Sequence, residues 1–456
     1  MRQSWKRLTA LMLSLVLTLA LAAGCGSNNK QANEGEASPA PGQAAETAAP
    51  TQNPQPYAGQ TIKIVMANHP WADAIKQLLP QFEQETGIKV DLTSYFEDQL
   101  TQKLTVQFTS GSTTPDAFMY RPLQEGKLYY MNGWLEPLDS YVNKDAEYDF
   151  NDFSKSAVGS TTVDGHIAGV PIITEQEILY YRKDLLAKAN LEVPKTIDEL
   201  VAAAKKLHDP QNGIYGFVAR GQQSALVTQV SSFIYSEGGD FSKDGKATVN
   251  TPEAIKGMSI YADLLKNYGP PGVANMSWPQ AIGIFAQGKA AFYTDADSIY
   301  KNATDPSKSK IADQVGFAVF PAGDAGSKPY NVTSWGLAIN SKSAHKDAAW
   351  AFVQWATSKK IVLETQKQGN PGARQSVWND PEGIKGFPPE LAAIIKEESQ
   401  GGVDHDRPVV VNVGEARDAV GAVVLKKVLD ENVDIQAEAN EANNKLQAII
   451  DKDTKK

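Results

Sequence analysis

Thr61-Ile-Lys-Ile-Val-Met-Ala67 alternates β-branched and polar positions, and directly after it Trp71, Ile75, Leu78, Leu79 and Phe82 recur at three- and four-residue spacing up to Gly87. The first pattern predicts a strand and the second an amphipathic helix that stops at the glycine. Working outward, Ile88 to Tyr95 reads as a second strand, Asp98 to Phe108 as a second helix and Asp116 to Tyr120 as a third strand. Strands alternating with helices need right-handed crossovers, which predicts an α/β fold with a mostly parallel sheet. Ligands of such sheets sit beyond the carboxyl ends of the strands. At those ends stand Asn68, His69, Pro70 and Trp71, then Tyr95, Phe96 and Glu97, then Tyr120 and Arg121. Aromatic, planar polar and charged groups thus converge from three strands, although Trp71 alone reads equally well as a packed residue at a helix start.

The whole chain has 456 residues, 42% hydrophobic and 21% charged, which excludes a collagenous, fully disordered or polytopic membrane protein. A single core stops growing well below that length, so two lobes are expected. Lys and Arg number 44 against 53 Asp and Glu, and a net charge of −9 lacks the basic footprint that nucleic acid demands.

At the N-terminus Met1, Arg2, Lys6 and Arg7 surround the start of an apolar run from Leu8 to Ala23, too short to span a bilayer and ending in small residues. Residues 1–24 therefore read as an export signal. Leu21-Ala22-Ala23-Gly24-Cys25 resembles a lipobox, with Ala22 where Leu is usual, and implies that Cys25 carries a diacylglycerol and begins the mature chain. Ordinary cleavage near Ala23 beside an idle Cys25 is the alternative. From Gly26 to Gly59 there is no Val, Ile, Leu, Met, Phe or Trp, so residues 25–59 read as a lipidated Cys and a disordered tether. Two or three acyl chains would hold the tethered body on a membrane, outside the cell.

Gly165-His-Ile-Ala-Gly-Val-Pro171 leads into Ile172-Ile-Thr-Glu-Gln-Glu-Ile-Leu-Tyr-Tyr-Arg182 and then Val193-Pro-Lys-Thr-Ile-Asp-Glu-Leu200, where Thr196 and Glu199 have the spacing of a capping box. This stretch resembles the family 1 extracellular solute-binding proteins of sugar ABC transporters. The likeness continues through Phe285-Ala-Gln-Gly-Lys-Ala-Ala-Phe292, Gly316-Phe-Ala-Val-Phe-Pro321, Ser334-Trp-Gly-Leu-Ala-Ile-Asn340 and the helix around Trp350 and Trp355, spanning nearly all of Ile62 to Ile450. It implies a two-lobed, periplasmic-binding-protein-like fold of type II, with a three-crossing hinge and a ligand cleft between the lobes. Residues 60–172 and 320–357 would form lobe 1, and residues 173–319 and 358–456 lobe 2. The family's acidic residue facing the sugar aligns with Glu175. Tyr268-Gly-Pro-Pro-Gly-Val-Ala-Asn275 with Trp278 is similar to a branch that takes sugar alcohols or small oligosaccharides.

Sugars present hydroxyl pairs and weakly apolar C–H faces, so a site for them needs carboxylates, guanidiniums and aromatic faces. His69, Trp71, Tyr120 and Arg121 supply these from the first lobe. Arg220 follows the strand Tyr215 to Ala219, Asp295 and Asp297 follow the strand Ala290 to Thr294, and Trp278, Trp335 and Arg374 come from other segments. Each has a structural counterpart reading: Arg220 as a surface ion-pair partner, Asp295 as a helix cap, Trp278 as a helix-start staple, Trp335 as core. Gly336 would let a ligand or the neighbouring backbone approach the indole of Trp335.

Two motifs are declined. Gly283-Ile-Phe-Ala-Gln-Gly-Lys-Ala290 has phosphate-loop spacing, but Ala290 stands where Ser or Thr is required, and the run reads as a helix ending near Gly288. The acidic stretch Asp145 to Asp152 lacks the Gly and bidentate Glu of a calcium loop. A secreted carbohydrate-active hydrolase is the rival reading, because paired carboxylates with aromatic platforms also describe a glycosidase. The expectation favoured here is a monomeric, lipid-anchored receptor that closes over a carbohydrate or polyol and hands it to an ABC permease, with no cofactor or metal and no catalysis.

Overall fold

The opening alternation folds as β1 (Thr61–Ala67), α1 (Pro70–Thr86), β2 (Lys89–Tyr95), α2 (Glu97–Thr109) and β3 (Ala117–Tyr120) in the computed structural model, which describes residues 56–398 and 401–453. The export signal, Cys25 and nearly all of the tether lie outside the described residues. His69 caps α1, its Nδ1 accepting from the Trp71 N–H at 3.1 Å. Gly87 ends the helix at a φ of 71°, a left-handed conformation that glycine adopts without steric penalty. β1 pairs in parallel with both β2 and β3, as helical crossovers require.

The rest of the chain adds β4 (Val170–Arg182), α3 (Ile197–Leu207), β5 (Tyr215–Val218), α4 (Leu226–Ser236), α5 (Pro252–Tyr268), α6 (Trp278–Ala286), β6 (Ala290–Ala296), β7 (Val315–Val319), β8 (Asn331–Ile339), α7 (Lys346–Ala356), α8 (Lys359–Lys367), α9 (Pro389–Glu398), α10 (Val413–Leu429) and α11 (Ile435–Asp453). Thr196 and Glu199 form the expected capping box of α3. The strands run β2-β1-β3-β8-β4-β6-β5, with β7 also on β4. This sheet is mixed rather than mostly parallel: β8 is antiparallel to β3 and β4, and β4 is antiparallel to β6 and β7. Parallel pairing holds for β1 with β2 and β3 and for β6 with β5. β8 instead returns from the other lobe with no helical crossover to impose a direction.

β4 belongs to both lobes. Its residues Val170 to Gln176 pair with β8, whereas Glu177 to Arg182 pair with β6 and β7. Burial follows the same division. Ile64, Phe118, Ile172, Leu337 and Phe352 share one core, while Phe217, Phe233, Tyr261, Val420 and Leu446 fill another and Tyr180, Phe285, Tyr293 and Leu391 a third beneath the second lobe's sheet. The fold is therefore two-lobed, and the chain passes between lobes within β4, between β7 and β8, and after α8. Ile361 and Ala373 pack in the first core and Trp378 in the third, so the last passage lies between Ala373 and Trp378.

The register of β8 shifts on both sides of Trp335. A Cβ on Gly336 would lie 3.0 Å from a ring carbon of Tyr120, and one on Gly169 would lie 2.5 Å from its hydroxyl. The room that Gly336 leaves is thus filled by Tyr120, not by a ligand beside the indole.

Candidate ligand-binding cleft

Between the lobes lies a cavity of about 690 Å³, within the range of small-molecule sites. The carboxyl ends of the first three strands open onto it, β1 through Asn68, His69 and Pro70, β2 through Glu97, and β3 through Arg121 and the π-turn residues Leu123 and Gln124. β4 contributes Ile173 and Glu175, two residues apart on one face of the strand. The second lobe adds Arg220, Thr228, Trp278, Ser298, Lys301, Asp406, Arg407 and Arg417.

Thr333, Ser334 and Trp335 are consecutive, yet all line the cavity, which regular alternation forbids. The register shifts flanking Trp335 are the reason, since a bulge re-aims side chains. Trp335 is 9% exposed, packed in the first core with its ring tilted 57° to that of His69 at 6.0 Å. Trp278 opens α6 from the other lobe and stays 40% exposed. Aromatic side chains therefore stand in the wall from both lobes, and such rings can pack against weakly apolar C–H surfaces.

Polar groups are held in pairs. Arg220 binds Asp295 through Nε at 2.9 Å and Nη2 at 2.5 Å. Asp295 also accepts from Gln229 at 3.0 Å and from the Tyr293 hydroxyl at 2.7 Å, so it positions Arg220 from behind the wall. Arg121 is pinned by Glu125 and Glu97. Arg407 takes both oxygens of Asp406 at 2.6 Å and reaches across to Gln124 of the first lobe at 2.9 Å. Glu175 accepts from Ser298 at 2.7 Å, and burial raises its pKa against that hydrogen bond and the pull of Arg220.

Of the residues expected in the site, His69, Arg121, Glu175, Arg220, Trp278 and Trp335 line the cavity, and Trp71, Tyr120, Asp295, Asp297 and Arg374 do not. Trp71 and Tyr120 are buried in the first core. Asp297 sits behind Ser298, accepting from the Gln176 N–H at 3.2 Å. Arg374 is 1% exposed and spends its donors on the carbonyls of Thr357, Tyr148 and Asp149 and on Asp152. That cluster also explains Asp152 in the acidic stretch. Asn68 and Glu97 stand at the expected strand ends, whereas Gln124, Thr228, Ser298, Asp406, Arg407 and Arg417 also line the cavity from positions that no strand-end rule marks. Only the dense charge of Asp404-His-Asp-Arg407 hints at some of them.

Two expectations follow from these placements. Arg374→Met should cost about 3 kcal/mol of stability, because it strands buried acceptors, and should leave ligand affinity per folded molecule unchanged. Urea denaturation and calorimetry on the same variant check it. Burial also pushes His69 down to about 4 from 6.5, with Asp73 opposing in part. A neutral-preferring histidine contributes stability above pH 6.5 that is lost as pH falls towards 4, where the unfolded chain binds the extra proton. His69→Asn, which keeps a capping acceptor, should therefore show a smaller stability difference between pH 7 and pH 4.5 than the parent chain.

Residues 68–362 match the family model of the bacterial extracellular solute-binding proteins. A mannitol-binding protein of Pseudomonas aeruginosa is 30% identical over 334 residues, covering 70% of this chain and 75% of that one. An erythritol/L-threitol-binding protein of Mycolicibacterium smegmatis is 27% identical over 347 residues, covering 70% of this chain and 72% of its own. Among solved structures, an ABC transporter solute-binding protein from Agrobacterium radiobacter in complex with ribitol superposes with a TM-score of 0.73 at 30% identity, covering 86% of this chain and 99% of that one.

Proposed function

The chain belongs to the bacterial extracellular solute-binding proteins, and from that premise we propose that it captures a carbohydrate or sugar alcohol between its lobes and presents it to the permease of an ABC importer. The observation that carries the ligand class is the pairing of Trp278 and Trp335, one from each lobe, over a floor of fixed hydrogen-bonding groups. Aromatic faces offer stacking to C–H surfaces, and Glu175, Arg220 and Arg121 offer directed bonds to hydroxyls. The family is one of solute binders, and we read this member as non-catalytic. The rival hydrolase needs two free carboxylates. Glu97 and Asp406 are each committed to an arginine.

We further read the two lobes as moving bodies that hinge at their three passages, with His69, Arg121, Glu175, Arg220, Trp278 and Trp335 on the ligand. A lipidated Cys25 would hold a monomeric receptor at the outer face of the membrane. No helix among the described residues is long and apolar enough to cross a membrane.

A thermal-shift scan over hexitols, pentitols, monosaccharides and short oligosaccharides tests the binding, since a ligand at about 100 times its Kd stabilises by about 2.7 kcal/mol. Small-angle scattering with a hit should show a smaller radius of gyration, because a ligand touched by both lobes favours the closed state. An unchanged radius would count against hinge closure. Appearance of cleaved oligosaccharide, lost on Glu175→Gln, would replace the receptor by an enzyme.

A further inference from the structure

We propose that the ligand is a sugar or polyol bearing an oxyanion, a carboxylate or a phosphate, that seats against Arg417 in the second-lobe wall; this rests on the carbohydrate reading of the cleft. Three of the four cavity guanidiniums already own a counter-charge: Arg121 has Glu97 and Glu125, Arg220 has Asp295, and Arg407 has Asp406. Arg417 has none. It donates from Nε to the Ser224 carbonyl at 2.8 Å and from Nη2 to the Thr228 hydroxyl at 3.2 Å, and forms no ion pair among the described residues. Asp406 is close enough to feel it, but both Asp406 oxygens are taken by Arg407.

The remaining charges of the wall point the same way. Lys301 gives its ammonium to the Gln368 carbonyl at 3.0 Å, and neither it nor Lys308 forms an ion pair among the described residues. Against these three cations stands Glu175, the lining carboxylate without an ion pair among the described residues, and burial disfavours its ionised form. A basic cavity thus sits in a chain of net charge −9.

Arg417 is half-buried, and a cation drawn partly out of water without an ion-pair partner is unfavourable. Burial, together with repulsion from Arg407, lowers the pKa of Arg417 to about 9 against the pull of Asp406. A neutral polyol could accept its hydrogen bonds but would leave the charge uncompensated, whereas an oxyanion satisfies both requirements. Thr228 lies in the first turn of α4, whose N-cap Ala225 supplies no side-chain cap, so the positive end of that helix adds to the field. The exposed Lys301 and Lys308 would draw an anion to the mouth.

The test is calorimetry on the full chain with matched sets at two salt concentrations: sorbitol, gluconate and sorbitol 6-phosphate; glucose, glucuronate and glucose 6-phosphate; galactose, galacturonate and galactose 6-phosphate. In the set that binds, an anionic member should exceed its neutral partner by about tenfold or more, and the gap should narrow with salt. Whether the carboxylate or the phosphate leads identifies the group. Arg417→Gln should erase most of that gap. Arg417→Lys, which keeps the charge without the guanidinium fork, should retain part of it and serves if the glutamine variant melts early. A neutral member binding as well as both its anionic partners, or a gap untouched by Arg417→Gln, overturns the oxyanion while leaving the carbohydrate reading standing. Binding by no member of any set, nor by any neutral sugar of the thermal scan, overturns both.

Discussion

Asp295→Ala should lower the stability of the ligand-free protein by about 3–5 kcal/mol, the usual cost of removing one member of a buried ion pair. Asp295 is 0% exposed and receives donors from Arg220, Gln229, Tyr293 and the Ala296 N–H. Truncation leaves the guanidinium of Arg220 without a counter-charge and the Tyr293 hydroxyl and Gln229 amide without their acceptor. Tyr293, Tyr330 and Gln229, all buried, close the side behind it. Ligand affinity should fall as well, since Arg220 loses the two bonds that aim it at the cavity. Urea denaturation of the apo protein reads the first effect. A loss below about 1 kcal/mol would mean that Arg220 swings out to solvent, and the assignment of Asp295 as its positioning residue would be withdrawn.

The second large effect is expected at Trp335, where the structure places the ring in two roles at once. One side packs in the first core beside His69, and the other forms cavity wall. Trp335→Ala should therefore cost about 2–3 kcal/mol of apo stability, less than the 3–5 of a fully enclosed tryptophan, and about 1.5–3 kcal/mol of sugar affinity. Trp278→Ala gives the contrast. Its side chain is 40% exposed, so affinity should drop while the apo melting temperature stays nearly constant. A Trp335→Ala protein with normal affinity per folded molecule would confine that ring to the core.

How much of this could be read from residues alone depends on how local each determinant is. The strand at Thr61–Ala67, the helix ended by Gly87 and the capping box at Thr196 are set by neighbours within one or two turns, and these appear within a residue or two of the expected positions. The convergence of Asn68, His69, Glu97 and Arg121 is legible for a related reason: parallel strands share an end, so residues after each strand share a place. The second lobe's wall follows no such rule. Arg407 and Arg417 reach the cavity from a loop and a helix that come late in the chain, and no periodicity connects them to Thr228 or Gln124. Arg374 misleads for the opposite cause. A guanidinium in a sugar-binding context suggests a ligand, yet backbone carbonyls of the Tyr148 turn and of Thr357 consume it. The bulge that turns Trp335 inward was equally invisible, because it depends on the register of β8 against β4 and not on either strand's composition.

The interleaving of the two lobes also constrains how the chain can be made. β3 carries an open edge until β8 arrives, since Tyr120 pairs with Gly336, and β4 lacks its partners on one half until that same segment is available. Neither half can therefore finish during early synthesis, and the nascent polypeptide presents unpaired strand edges until most of it has emerged. Pairings of such long sequence separation form slowly. Until then those edges are open to pairing with a neighbouring chain, so the order of synthesis, and not the finished fold, sets the interval in which this protein is exposed to aggregation.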